Sequence, residues 1–531
     1  MAPCVIFEDE HLLVVNKPAG WNTHAPAPHA GEGIYDWLRH REPRWGSLAI
    51  IHRLDKETSG VLVFAKTPLA NRSLTAQFTF RQVEKHYHLL TDRKAPEREV
   101  TVKTTLARLG EKYGSRTGGE SAETVFTPAK PETSPLPGTQ LVVASPLTGR
   151  THQIRVHAAE SGFPILGDVL YGGTEAARVY LHAADITFSH PATGETVTFS
   201  APANFTAESR QGLRGAVVAA PETNAYRMIH GASDGWPGWH VERLDTYLLS
   251  QSNQTLNPKQ SAELARLAES LGARGSYHKT LSREVRRANI AQGSPQWSAG
   301  GAAPTAFEIL ENGVRYEMSF NEGYSVGLFL DQRDNRRRLL TGHIAGNFDL
   351  PEETPSGKRE MLNCFAYTCG FSVCGARAGW RATSLDLSKK YLEWGRRNFG
   401  LNGLDPAQHD FIFGDTFDWL RRLAKKGRGY ELVVLDPPTF SQSKESGTFR
   451  AEKDYGKLLA AALLVTKRGG VVLACANTAT WMAEDFMTMV ATTIREAGRK
   501  IVKSHYVPQP PDFPISRDEP AYLKTVWLRV E

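Results

Sequence analysis

Apolar positions in the first two hundred residues come in short runs separated by turns. His11 to Val15, Gly60 to Ala65, Gln140 to Ala144 and Thr196 to Ser200 have the length and residue content of strands. Helical stretches are fewer, the clearest being Pro68 to Phe80 and Thr151 to Ser161. This mixture predicts an α+β fold, a largely antiparallel sheet with helices packed on it. From about Ala201 to Thr223 the chain turns rich in Ala, Pro and Glu and loses periodicity, as a linker does. Residues 224–320 read as two strand pairs around one helix, Pro258 to Ser270, with a Gly/Ala/Ser/Pro loop near Gly293 to Pro304. Beyond them strands and helices alternate: Glu360 to Cys364, helix Gly370 to Ala378, strand Arg381 to Asp386, helix Lys389 to Asn398. That rhythm predicts a parallel, doubly wound α/β sheet. The expected organisation is a domain over 1–205, a linker over 206–223, a small α+β domain over 224–320 and an α/β domain over 321–531.

Composition narrows the class. Hydrophobic residues make up 41% and charged residues 23% of 531 residues, which excludes a disordered or fibrous chain. The longest apolar runs, Gly470 to Ala476 and Val61 to Ala65, are far short of the ~18–20 residues of a membrane span. The chain opens on Val5-Ile6-Phe7-Glu8 without the pattern of a secretory signal, so a cytoplasmic location is expected and no membrane partner. Five cysteines, an odd number without paired zinc spacing, fit free thiols in a reducing compartment. No metal site is expected. Lys and Arg balance Asp and Glu at 21 each in residues 1–200 and exceed them by 42 to 36 in residues 201–531, so the whole net charge of +6 lies in the second part. That excess suits a polyanionic partner but falls short of a dedicated nucleic-acid module.

Two clusters of residues carry chemistry. In the first, His52-Arg53-Leu54-Asp55-Lys56-Glu57-Thr58-Ser59-Gly60 sets a carboxylate between cations before an apolar strand. Gly149-Arg150-Thr151-His152-Gln153-Ile154-Arg155-Val156-His157 opens a helix with more cations, and Lys85-His86-Tyr87 holds an aromatic between basic residues. A carboxylate, an aromatic and several cations suit a site that grips an anionic backbone and attacks or stacks a flipped base. With Leu12 to Gly20 and Leu166-Gly167-Asp168, these strings resemble an RluA-type RNA pseudouridine synthase over about residues 4–200. The resemblance implies that Asp55 starts glycosidic cleavage of a uridine, that Arg155 pairs with Asp55 and keeps it ionised, that Tyr87 stacks on the base, and that Arg53 braces the space the base leaves. It implies a reaction without metal or cofactor.

In the second cluster, Met361 to Ser372 reads as a strand, a small-residue turn and a helix, a geometry that lets backbone amides approach a ligand. Asp386 and Asp415 end the next two strands, and Asp436-Pro437-Pro438-Thr439-Phe440 follows the one after. The absence of a full GxGxxG disfavours a dinucleotide site. Over about residues 222–531 these strings, with Tyr226 to Gly231 and Gly327 to Arg336, resemble class I S-adenosylmethionine-dependent RNA methyltransferases of the RlmI/RlmK-like group. The resemblance implies that S-adenosylmethionine is held by Asn363, Phe365, Tyr367, Thr368, Gly370, Asp386 and Asp415, near Asp436, Pro437 and Pro438, with Gln332 and Arg333 close by. The family's usual glycine pair is Cys369-Gly370 here. Cytosine C5 methylation needs a cysteine that adds to the ring, for which Cys475 is the candidate; the alternative is a packed thiol. The string Asp436 to Lys444 also resembles relatives that methylate guanine nitrogens, for which Asn477 becomes the residue of interest.

The chain is therefore expected to be a multidomain fusion: an α+β mixed-sheet pseudouridine synthase fold, a small α+β domain and a Rossmann-like methyltransferase. It is expected to modify RNA, in the first place large-subunit rRNA, and not DNA. The alternatives are an active synthase joined to an RNA-binding half, or a non-catalytic ribosome-assembly factor.

Overall fold

The computed structural model describes residues 2–130, 134–281, 293–352, 357, 359–443 and 447–531; Lys444, part of the last quoted string, lies outside them. The chain divides into two compact units, one of residues 1–26, 32–39 and 44–219, the other of residues 27–31, 40–43 and 220–531.

The first unit is built on an eleven-stranded sheet. Its centre sets Ser59–Ala65, Leu181–Ser189, Glu84–Thr91 and Gln140–Pro146 side by side, the first two parallel and the rest antiparallel. All seven residues of Ser59–Ala65 are buried, which explains why they read as an unbroken apolar run rather than an alternation. Gly60 is dictated by this packing: it has φ +117°, and a Cβ there would meet Ala183 O at 2.1 Å. The helix Pro68–Thr79 starts where the sequence places it, with Pro68 in the first turn and Thr67 Oγ1 accepting from Ala70 N. The stretch expected to be aperiodic contains the helix Ser209–Val217. Its buried stripe of Leu213, Ala216 and Val217 is one short turn of mostly small residues, too brief to stand out from the Ala/Pro/Glu background.

In the second unit, residues 225–300 form one five-stranded sheet, in the order Ala225–His230, Trp239–Leu244, Tyr247–Ser252, Gly275–Thr280, Gln296–Gly300. This replaces the expected two strand pairs. The edge strand Gln296–Gly300 lies in the span expected to be a loop; all five of its residues are exposed, so no apolar alternation marks it. The helix Pro258–Leu271 is fixed at its start by a capping box between Asn257 and Gln260 and at its end by Gly272.

The largest sheet of this unit has seven strands, in the order Asp410–Phe413, Arg381–Asp386, Glu360–Cys364, Tyr430–Leu435, Thr466–Asn477, Leu523–Val530, Ile501–Val507. The first five are parallel and Leu523–Val530 runs against both neighbours. Chain order reverses between Glu360–Cys364 and Tyr430–Leu435, and such a switch point opens a crevice at the carboxyl ends of the strands. Among the described residues no helix is long and apolar enough to cross a membrane.

Candidate active sites

Sheet register assembles the first site. Leu181–Ser189 pairs Ala183 with Gly60 on one side and with Tyr87 on the other, which brings the loop before Ser59 beside the Tyr87 strand. That loop is tied down from beneath. Thr23 Oγ1 donates to Leu54 O at 2.8 Å and accepts from Leu54 N at 3.2 Å. The fully buried Lys17 ammonium donates to Trp21 O (2.7 Å), Pro18 O (3.0 Å) and Lys56 O (3.3 Å), and burial pushes its pKa down to about 7. Asp55, Tyr87, Arg155 and Arg53 all line a single cleft of about 950 Å³.

Arg155 and Asp55 stand within ion-pair reach of each other, but the closer partner of Arg155 is another carboxylate. Arg155 forks onto the buried Asp168, Nε to Oδ2 at 2.7 Å and Nη2 to Oδ1 at 2.8 Å, and lies across the Tyr171 ring at 5.1 Å. From there its Nη1 reaches Asp55 Oδ2 at 4.0 Å and Glu57 Oε2 at 3.6 Å. His152 Nε2 stands at the same 4.0 Å from Asp55, with its Nδ1 2.8 Å from Tyr171 Oη. Burial pushes the Asp55 carboxyl above the ordinary carboxylate range and Glu57 adds to this, while His152, Arg155 and Lys17 oppose it without cancelling it. Asp55 is therefore poised rather than locked as an anion. Burial raises the Tyr87 phenol as well, so it is neutral and a proton donor at physiological pH.

Sequence reading assigned no role to Lys17, His152, Gln153 or Asp168, although all four stand within the quoted strings. Gln153 fastens its loop through every amide position: Nε2 donates to Glu123 O and Thr124 Oγ1, each at 2.9 Å, and Oε1 accepts from Thr148 Oγ1 (2.7 Å) and Arg150 N (3.0 Å). Nothing in spacing or composition signals such long-range polar anchoring.

The second site lies at the switch point. Asn363 Nδ2 donates to Ser372 Oγ at 2.9 Å, joining the strand to the helix that follows the loop. Across the loop Phe365, Tyr367 and Cys369 take positive φ of 59°, 50° and 64°, a rare run for residues with side chains and a mark of a functional turn. Asp386 holds the strained segment: its Oδ2 accepts from Tyr367 N and its Oδ1 from Ser388 N, both at 2.8 Å. Thr368 Oγ1 donates to Gly327 O at 2.5 Å and Tyr367 Oη accepts from Gly327 N at 2.9 Å, which brings the 327–336 segment to the loop. Leu387, Asp415, Phe417 and Phe365 line a neighbouring cavity of about 360 Å³.

The Cys369 departure now has a physical account. The residue sits in the left-handed region, where glycine is free of strain and a side chain costs roughly 1–2 kcal/mol. Its thiol fills the space over Gly395 on the helix Lys389–Leu401, where a Cβ would meet Cys369 Sγ at 2.3 Å. Gly395→Ala should therefore destabilise the native chain by about 1–3 kcal/mol. In a Cys369→Gly background the same change should be neutral or stabilising, because alanine favours a helix interior by about 1 kcal/mol. A double-mutant cycle on denaturant midpoints reads this coupling, and additive effects would contradict it.

Gln332 and Arg333 end up differently. Arg333 is committed to the buried Asp512, at 2.9 and 2.5 Å, and to Asp334, and does not present its guanidinium to the pocket. Gln332 Oε1 accepts from Asn335 Nδ2 at 2.8 Å, and its buried side chain faces the Asp436 carboxyl and the Cys475 thiol. Burial and the nearby Asp331 push Asp436 up to about 7. Pro438, Thr439 and Phe440 are exposed beyond Asp436, and Thr439 Oγ1 donates to Asn477 O at 2.5 Å. Cys475 is wholly buried in the sheet, and burial, with the Asp436 charge, drives its thiol far up. Asn477, two residues on, is exposed at the strand end.

The model of the S-adenosylmethionine-dependent methyltransferase family matches residues 226–529, and that of the RNA pseudouridylate synthase family matches residues 11–160. The chain belongs to the S-adenosylmethionine-dependent methyltransferase family and carries an RNA pseudouridine synthase domain ahead of it. The methyltransferase half is 33% identical over 330 residues to a ribosomal RNA large subunit methyltransferase of Deinococcus radiodurans, covering 61% of this chain and 76% of that protein. The synthase half is 39% identical over 216 residues to the ribosomal large subunit pseudouridine synthase C of Yersinia pestis, covering 38% of this chain and 66% of that one. A solved methyltransferase complexed with SAH is 27% identical over 58% of this chain and 76% of its own, with a TM-score of 0.49. The residues of the methyltransferase half fit the family's cofactor: a strained loop at the switch point, a carboxylate at the end of the next strand, and a cavity that sets Phe365, Leu387, Phe417 and Phe449 beside Asp415.

Proposed function

We propose that this chain is a bifunctional RNA-modifying enzyme that isomerises a uridine to pseudouridine in its first unit and methylates a guanine nitrogen in its second. We infer that large-subunit ribosomal RNA is the substrate, since relatives of both halves are named for it. The observation that carries the first activity is the single cleft lined by Asp55, Tyr87, Arg155 and Arg53. In it Asp55 initiates rupture of the bond between uracil N1 and the ribose. The freed base rotates and rejoins through C5, which loses its proton as N1 gains one. Arg155 steadies the carboxylate from its seat on Asp168, Tyr87 stacks against the base, and Arg53 at the exposed rim braces the RNA the base has left.

A bound S-adenosylmethionine supplies an electrophilic methyl group. The chain's own part is to present the acceptor base at Asp436-Pro437-Pro438, with Gln332 and Asn477 as the nearby polar groups. A nitrogen acceptor is favoured over cytosine C5 because carbon methylation needs an accessible thiolate, whereas all five cysteines are buried and Cys475 is held neutral. Cys475→Ser should accordingly keep methylation within a few-fold, read by nucleoside mass spectrometry. Loss of methylation, or a covalent adduct with 5-fluorocytidine RNA, would return the reading to cytosine.

A further inference from the structure

The turn that presents the acceptor base does not end at Phe440. It continues into a hairpin, Phe440–Ser443 paired with Gly447–Arg450, whose base is closed by the Phe440 and Arg450 pairing and by Ala451 N donating to Thr439 O at 3.1 Å. The outgoing strand carries one buried aromatic, Phe449. Phe449 turns into the 360 Å³ cavity, which it and Thr448 line with Phe365, Leu387, Asp415 and Phe417. Its ring lies 6.1 Å from both Phe365 and Phe417, tilted at 33° and 51°. The hairpin contributes Ser441, Gly447, Thr448 and Phe449, and the other walls come from the strand ends at the switch point and from the helices Thr416–Lys425 and Ala451–Leu463.

Aromatic and aliphatic walls from Phe365, Leu387, Phe417 and Phe449, with Asp415 and Asp454 as acceptors and Arg421 and Lys457 as cations in the same lining, are the chemistry that takes a purine ring bearing an exocyclic amine. On the proposed function, that purine is the adenine of the cofactor. We infer that Phe449 is the positioning residue that couples the two ligands of the methyltransferase half: adenine packing on Phe449 fixes the hairpin, and the hairpin in turn fixes the Thr439–Phe440 turn that receives the RNA base. The inference rests on the reading of this half as a methyltransferase and adds a binding order, cofactor before RNA. A coupling of this kind is reciprocal, so RNA should also tighten cofactor binding.

The test uses the intact chain, S-adenosylhomocysteine as probe, and two readouts that do not depend on turnover: calorimetric affinity, and hydrogen exchange of the amides of residues 439–442. In the wild type, saturating S-adenosylhomocysteine should slow exchange in this turn by tenfold or more. Phe449→Ala should weaken binding at least tenfold and, at saturation, leave the turn exchanging as in the free protein. Phe449→Leu, which keeps apolar volume without the ring, should bind with an intermediate loss, and unchanged exchange in the buried strand Thr466–Asn477 certifies the fold of each variant. Wild-type affinity in Phe449→Ala, or a wild-type turn indifferent to the bound probe, overturns the coupling alone. A wild-type chain that does not bind S-adenosylhomocysteine overturns the coupling together with the methyltransferase reading beneath it.

Discussion

Asp55→Asn should abolish pseudouridine formation, by on the order of 10³-fold or more, while leaving the methyltransferase half intact and making the first unit more stable at neutral pH. The loss follows from removing the group that attacks or deprotonates. The gain follows from linkage. Burial raises the folded Asp55 pKa above its unfolded value, so the protonated form is the one the fold favours. Its contribution to stability is complete below the ordinary carboxylate value of about 3.9 and is lost as pH rises through the higher folded value. Wherever Asp55 is ionised the wild type carries a charge its fold opposes, and Asp55→Asn does not. The difference in melting temperature should shrink towards zero as pH falls below about 4. The acid limb of wild-type pseudouridine formation should lie above the ordinary carboxylate range for the same reason. A variant no more stable than wild type at pH 7 would contradict the direction of the shift.

Asp168→Ala should cost about 3–5 kcal/mol of stability in the first unit, because it leaves the Arg155 guanidinium buried without its closest partner. Asp168 is only 1% exposed and accepts from both Nε and Nη2 of an arginine that is itself buried. Pseudouridine formation should fall with it, since Arg155 then loses the seat from which it faces Asp55. Replacing both residues by apolar ones of similar volume, Arg155→Met with Asp168→Leu, should recover much of the stability and none of the activity. Denaturant midpoints beside a pseudouridine assay separate these outcomes. A double variant that regains activity would show that Arg155 is scaffold alone.

The sequence carried far into both sites where chemistry is local. Asp55, Arg155 and Tyr87 stand in strings whose residue types declare a charged, base-handling cleft, and the strands Glu360–Cys364 and Arg381–Asp386 fall where apolar runs of that length predict them. What stayed hidden depends on partners distant in the chain. Arg155 reaches Asp55 as the resemblance implies, but no spacing rule reveals that its closer partner is Asp168, which the fold brings beside it. Lys17 reads as one cation among many, and only burial against three carbonyls makes it a fastener of the loop that carries Asp55. Phe449 lies after the quoted motif in an apolar position like many others, and the hairpin alone turns it into the cavity beside Asp415. Cys369 is the reverse case: the departure was visible, but its cost and its compensation by Gly395 required the left-handed φ and the packing of the facing helix.

The most direct test of two activities in one chain is nucleoside mass spectrometry of large-subunit ribosomal RNA, taken from cells lacking this gene and incubated with the purified intact chain. Parallel reactions with and without S-adenosylmethionine should both gain pseudouridine, and only the reaction with it should gain a methylated guanosine. Pseudouridine without any methylation under saturating S-adenosylmethionine, or methylation that appears as 5-methylcytidine, would contradict the account.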